Sequence, residues 1–256
     1  MNRLVFLGTG TSSGIPTLGC DCPTCQSDDP RDTRFRTSAY IETEQGVKLL
    51  IDVGTDFRMQ ALTHRIRWID GILITHSHHD HIGGLDELRQ INFAMRRPID
   101  LYGNALALQE IRERFSYIFK KTQEGGGKPQ ITLREIDAPQ AFSVNGQRIL
   151  PLRVTHGNLP ILGFQIGNLS YITDASFIPP ETCEQIRRAP VLVLNALHFM
   201  PHETHFTVAQ ALEVIDRIQP GVTYLVHMSH RVKHAEVEPT LPPNVHLAHD
   251  NLAIEF

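Results

Sequence analysis

The chain has 256 residues, with 24 Lys+Arg against 28 Asp+Glu and a formal net charge of −4. Its 41% hydrophobic and 20% charged residues make the mixture of a folded globular chain, not a disordered or fibrous one, and the length allows one large domain or two small ones. No run reaches the roughly 18 apolar residues that span a bilayer, residues 1–7 read as a first strand rather than a secretion signal, and the acidic balance argues against binding long nucleic acid.

Residues 3–7 read as a buried strand, followed by the small-residue loop 8–14. Residues 38–42 and 47–53 form a strand pair about a turn at Gln45 and Gly46. A short helix at 57–64, an apolar strand at 71–75 and a helix at 85–95, stopped by Pro98, come next. A strand at 99–102 precedes helical spacing over 106–119, and 120–130, with three consecutive glycines, reads as a flexible surface arm. Strands at 149–155, 162–166 and 170–173 lead to a helix at 180–187 and a strand at 191–194. Thr207 opens a helix with Gln210 three residues on, a capping box, and strands at 222–226 and 252–256 close the chain. Strand pairs alternating with strand–helix units imply two sheets face to face with helices outside, one α/β domain over 1–256.

Fourteen His and four Cys stand out in this composition. Without a signal segment the expected compartment is the reducing cytoplasm, where clustered Cys point to metal or redox chemistry before disulfides. The strongest element is His76-Ser77-His78-His79-Asp80-His81, directly after an apolar strand. Residues two apart in extended chain point the same way, so His76 and His78 can grip one ion, and Asp80 and His81 can turn to a second. Gly83 and Gly84 then let the backbone fold tightly before the next helix. His156, Asp174 and His227 each follow an apolar strand, and strand ends on one rim converge, so these three can complete a two-metal centre with Asp174 as the bridge. Imidazole with carboxylate suits zinc, manganese or iron rather than calcium.

These residues resemble the H-x-H-x-D-H motif of the metallo-β-lactamase fold superfamily, matched by His76, His78, Asp80 and His81. The resemblance runs over essentially the whole chain and implies an αββα sandwich. It implies that His76, His78 and His156 hold one ion, that Asp80, His81 and His227 hold the other, and that Asp174 lies between them. Asp52 matches the superfamily's early strand-end Asp, which supports the ligands from behind.

Cys20-Asp21-Cys22-Pro23-Thr24-Cys25 offers three thiolates in a loop at about 19–26, a spacing that can wrap tetrahedral zinc. A fourth ligand can come from Cys183, which reads as a packed helical side chain, or from His230, three residues past His227 and better placed. The pattern is similar to the PhnP-type branch, phosphodiesterases that open phosphoribosyl 1,2-cyclic phosphate. That resemblance implies a structural zinc on Cys20, Cys22, Cys25 and His230, and makes His205 the candidate acid/base.

The reading that follows is a phosphodiesterase using two divalent ions (Mn²⁺ or Zn²⁺) and one structural Zn²⁺, with Asp80 and His205 in catalysis. Two ions lower the pKa of water between them and neutralise charge on phosphoryl oxygens; His205 protonates the leaving oxygen. Its partner is a small phosphodiester, not a membrane or extended nucleic acid, and the resemblance is compatible with a homodimer. Arg31, Arg34, Arg36 and Arg58 can offer a phosphate fork or equally be solvated charges. His64, His79, His234, His246 and His249 read as surface or supporting residues. Competing readings are a tRNA 3′-processing nuclease, a thioester or lactone hydrolase, and a non-catalytic metal- or nucleotide-binding module on this fold. The first needs an RNA-binding arm, and Lys120, Lys121 and Lys128 make only a short, weakly basic one.

Overall fold

Strand β1 (Arg3–Gly8) buries Leu4 and Phe6 on one face and Val5 and Leu7 on the other. The side-chain period of two therefore feeds two separate cores, which is why its sequence reads as a continuous apolar run. The same division holds in the computed structural model of the chain, which describes residues 1–121 and 127–256. Residues 122–126 of the arm expected at 120–130 fall outside the described residues.

The first half supplies β2 (Ser38–Glu42), β3 (Lys48–Ile51), β4 (Gly71–Leu73), β5 (Ile99–Gly103) and β6 (Ile131–Glu135). The second supplies β7 (Phe142–Val144), β8 (Gln147–His156), β9 (Leu159–Ile166), β10 (Leu169–Tyr171), β11 (Val191–Asn195), β12 (Val222–Val226), β13 (Val245–Leu247) and β14 (Ala253–Glu255). Among the described residues they form two seven-stranded sheets, ordered β14-β1-β2-β3-β4-β5-β6 and β13-β12-β11-β10-β9-β8-β7. Each sheet is mixed: β3 to β6 run parallel, as do β10 to β13, while hairpins β2–β3 and β8–β9 are antiparallel.

Between the sheets lie Leu4, Phe6, Ile41, Leu49, Ile51, Phe164, Tyr171 and Val193. Helices α1 (Phe57–Thr63), α2 (His79–Ile82), α3 (Leu88–Met95), α4 (Ala105–Arg114) and α5 (Ser116–Phe119) follow the first-sheet strands. Their apolar residues, Phe57, Leu88, Ile91 and Ile111 among them, cover Leu50 and Ile72. Helices α6 (Pro180–Gln185), α7 (Val208–Ile218) and α8 (His234–Val237) belong to the second half, and Ala211, Val214, Ile215 and Ile218 of α7 pack on Leu192 and Leu194. Thr207 and Gln210 close the expected capping box at the start of α7. Leu50 is fully buried in the outer core, so Leu50→Ala should cost about 2–5 kcal/mol. The layers are helix, sheet, sheet, helix, the expected sandwich. Strands β6, β7 and β13 and helices α2 and α8 are additions to the elements expected from sequence.

Two glycines bring the metal-motif turn against the loop after β3. A Cβ on Gly54 would collide with the Asp80 carbonyl, and one on Gly84 would collide with the Gly54 carbonyl. Only a bare backbone lets these segments touch.

Candidate metal centre

Of the non-glycine residues that take the left-handed backbone, three lie buried near strand ends: Asp52 after β3 (φ 58°), Asp174 beyond β10 (φ 57°) and His227 after β12 (φ 58°). Backbone strain of this kind gathers at functional sites. It aims two carboxylates and an imidazole from both sheets into one cluster.

Asp52 anchors that cluster. The Thr75 N–H and hydroxyl donate to its two oxygens at 2.8 Å each, and His81 Nδ1 lies 2.7 Å from Oδ2. A carboxylate gripping Nδ1 leaves Nε2 as the ligand atom. His81 Nε2 lies 3.2 Å from Asp80 Oδ2 and 3.4 Å from Asp174 Oδ2, yet makes no hydrogen bond. His76 Nδ1 is 3.0 Å from the Thr75 hydroxyl, and its buried Nε2 has no partner either. His156 Nδ1 donates to the Thr204 carbonyl at 2.7 Å. His227 sits with Nδ1 3.3 Å from the Thr37 hydroxyl and Nε2 3.1 Å from Asp174 Oδ1.

The donor atoms fall into overlapping sets, each within 4.8 Å: His76, His78 and His156; Asp80, His81, Asp174 and His227; and His156, Asp174 and His205. All seven expected ligand positions are thus brought together, with Asp174 common to two sets. His205 Nε2 lies 3.2 Å from Asp174 Oδ1. Buried imidazole nitrogens left without partners beside carboxylates are the donor chemistry of a first-row divalent ion.

The electrostatics agree with that chemistry. Burial holds the His76, His78 and His156 pKa values below the ordinary histidine value and brings His227 to about 4, a shift towards the neutral ring that a ligand must present. Burial also opposes charge on Asp174, but the imidazoles of His227 and His81 overcome it and keep the carboxyl well below the usual range. For His81 burial is outweighed by Asp174, Asp80 and Asp52, which raise its pKa. Asp52 faces Nδ1 of that ring, and Asp80 and Asp174 face Nε2.

Nearby, the loop of Cys20, Cys22 and Cys25 closes on His230, whose Nδ1 lies 3.2, 3.7 and 3.7 Å from the three sulfurs. The four donors form one set within 4.8 Å. Backbone N–H donation from Cys25 lowers the Cys22 pKa, favouring thiolate. Cys183 is elsewhere, packed against the outer core of the second sheet. The two clusters share a seam, where Thr11 N donates to Met228 O and Met228 N donates to Thr9 O.

Several supporting residues had no signal in the sequence. Thr11, Thr37, Thr75 and Thr204 each touch a ligand imidazole or His205, but threonine spacing carries no metal pattern. His202 Nδ1 lies 3.2 Å from His205 Nδ1. Of the histidines read as surface or supporting residues, His234 is buried. Three of the four arginine candidates are occupied, Arg31 on Asp29, Arg34 fully buried on Asp32 and Arg36 on Asp56, while Arg58 is exposed with no ion pair among the described residues.

Comparison with known proteins places these features in context. The Beta-lactamase superfamily domain matches residues 48–228. A solved structure of a new diphosphatase from the PhnP family superposes with a TM-score of 0.93 at 37% identity, covering 100% of this chain and 97% of that one. Zn²⁺-bound PqqB from Methylobacterium extorquens superposes with a TM-score of 0.80 at 18% identity over 99% of this chain and 100% of that one, a likeness of fold. A Porphyromonas gingivalis protein named Octanoyltransferase is 40% identical over 98% of this chain and 51% of its own length. The chain therefore spans about half of that curated relative.

Proposed function

Because the chain belongs to the metal-dependent hydrolases of the beta-lactamase superfamily, and within them to the PhnP family, we propose that it hydrolyses a small phosphodiester such as phosphoribosyl 1,2-cyclic phosphate. The observation that carries this reading is the sharing of Asp174. One carboxylate faces His81 and His227 while His205 approaches it from the open side.

His76, His78 and His156 would hold one ion, and Asp80, His81 and His227 the other, with Asp174 between. When bound, two such ions supply a nucleophile from water near neutral pH and offset the charge growing on phosphoryl oxygens. The chain's own residues do the rest. Asp52, Thr75 and the Thr204 carbonyl fix ring orientation at His81, His76 and His156, so each of these three presents one nitrogen inward. His205 is held between Asp174 at Nε2 and the Thr204 hydroxyl and His202 at Nδ1. As the P–O bond breaks, the leaving oxygen takes a proton from His205, and exposed His202 offers a route for its replacement from water. Cys20, Cys22, Cys25 and His230 would hold a structural zinc that ties the N-terminal loop to the last ligand strand.

A second reading has direct support: the 37% identical relative is described as a diphosphatase, and the same centre can cleave a phosphoanhydride. The test is a substrate panel for the metal-loaded protein, with phosphoribosyl 1,2-cyclic phosphate, a linear diester, a diphosphate and an acyl thioester. Preferred turnover of the cyclic diester supports the first reading. Preferred diphosphate cleavage selects the second, and turnover of the thioester alone overturns both.

A further inference from the structure

Of the ligand imidazoles, His78 is the least supported. His76, His81, His156 and His227 each have a ring nitrogen held by a hydroxyl, carboxylate or carbonyl. Among the described residues nothing hydrogen-bonds either nitrogen of His78, and the residue is exposed. Its orientation therefore depends on its backbone. On the C-terminal side that backbone is fixed by α2, since His81 N and Ile82 N both donate to His78 O.

The N-terminal side is fixed from a different helix. Ser77, buried between the two ligands, donates its hydroxyl to Glu110 Oε2 at 2.8 Å. Arg114, one turn later on α4, donates from Nη1 to the Ser77 carbonyl at 2.8 Å and from Nη2 to the same Glu110 oxygen at 2.6 Å. Both polar groups of Ser77 available at this turn are thus engaged by one charged pair. A solvent-facing ion pair along a helix contributes little by itself. Here the pair closes a ring through the residue between two ligands, and charge-assisted bonds are the stronger kind.

We propose that Glu110 and Arg114 are positioning residues for the His76/His78/His156 ion, acting through Ser77 to fix the direction of the His78 imidazole. Neither touches a donor atom of that set. Their effect is selective, because the Asp80/His81/His227 side is braced independently by Asp52. This inference rests on the metal reading given above.

The test is graded chelator competition on the metal-loaded full chain, following metal content, with His76→Ala and Asp80→Ala identifying which step belongs to which ion. Glu110→Ala and Arg114→Ala should weaken the His76/His78/His156 ion about 10–100-fold while the other ion stays within about twofold. Arg114→Lys should recover much of the loss, since one ammonium can still donate to the Ser77 carbonyl. Thermal melting checks that the variants fold. Equal loosening of both ions, or no loosening of either, would overturn the proposal. If the wild type binds no ion at His76, His78 and His156, the metal reading itself fails and this inference with it.

Discussion

The two candidate metal clusters lie side by side but are built in opposite ways. The histidine–aspartate cluster draws its side chains from β4, β8, β10 and β12 or the turns after them, so both sheets must be in register before it exists. The cysteine cluster takes three of its four donors from six consecutive residues, and Cys20, Cys22 and His230 are only half-buried. In the first, the fold makes the site, with five of the seven candidate ligands buried and left-handed backbone at Asp52, Asp174 and His227. In the second, an ion would make the fold of a loop that has little core of its own. Loss of a ligand should therefore cost chemistry at one cluster and stability at the other.

The largest effect expected is at Asp174. Asp174→Ala should abolish phosphodiester turnover while circular dichroism and the melting transition stay native-like; full turnover in a metal-depleted Asp174→Ala protein would remove the basis of the reading. His205→Ala comes next, with kcat lower by about 10²–10⁴-fold, the ordinary range for one general acid. Metal content should not change, and a substrate with a leaving group that needs no proton should lose much less. Loss of metal in this variant would make His205 a ligand instead.

Across the seam the consequence should change in kind. Cys22→Ser should remove one ion per chain and lower Tm, where each kcal/mol lost shifts Tm by about 2–4 °C for a chain of this size. The surviving folded fraction should keep its kcat; unchanged zinc stoichiometry would refute the structural site. The smallest effect concerns the seam itself. Burial pushes the Asp250 carboxyl up to about 7, although Phe35 N and the Thr9 hydroxyl donate to it. The folded chain therefore keeps a proton that the unfolded chain releases near the ordinary carboxylate value of about 4. Stability from this group is complete below that value, declines as pH rises towards 7 and then levels. Asp250→Asn should flatten that slope in pH-dependent melting without altering turnover; an identical slope in the variant would remove Asp250 as its source.

Legibility in the sequence followed the same division. The run from His76 to His81 and the cysteine triplet are local patterns, readable because ligand spacing follows from backbone geometry. His156, Asp174 and His227 were readable as polar residues after apolar strands, but their pairing into sets rested on resemblance. The threonines that orient the imidazoles were not readable, because a hydroxyl beside a ligand looks like any other threonine. Strands β7 and β13 have three residues each, too few for a period of two to show, and β6 lies at a sheet edge with no residue fully buried. His234 read only as a surface or supporting residue, since nothing local signals that its backbone N–H would donate to buried Asp32. The Glu110 and Arg114 brace spans more than thirty residues to Ser77, a distance at which sequence pattern says nothing.

The most direct test of the central claim is the metal content of the purified, manganese- or zinc-loaded chain, measured alongside turnover of a cyclic phosphodiester. Two ions at the histidine–aspartate cluster and one at the cysteine loop are predicted, with activity tracking the first two and Tm tracking the third. Full turnover by a chain holding one ion or none would contradict it.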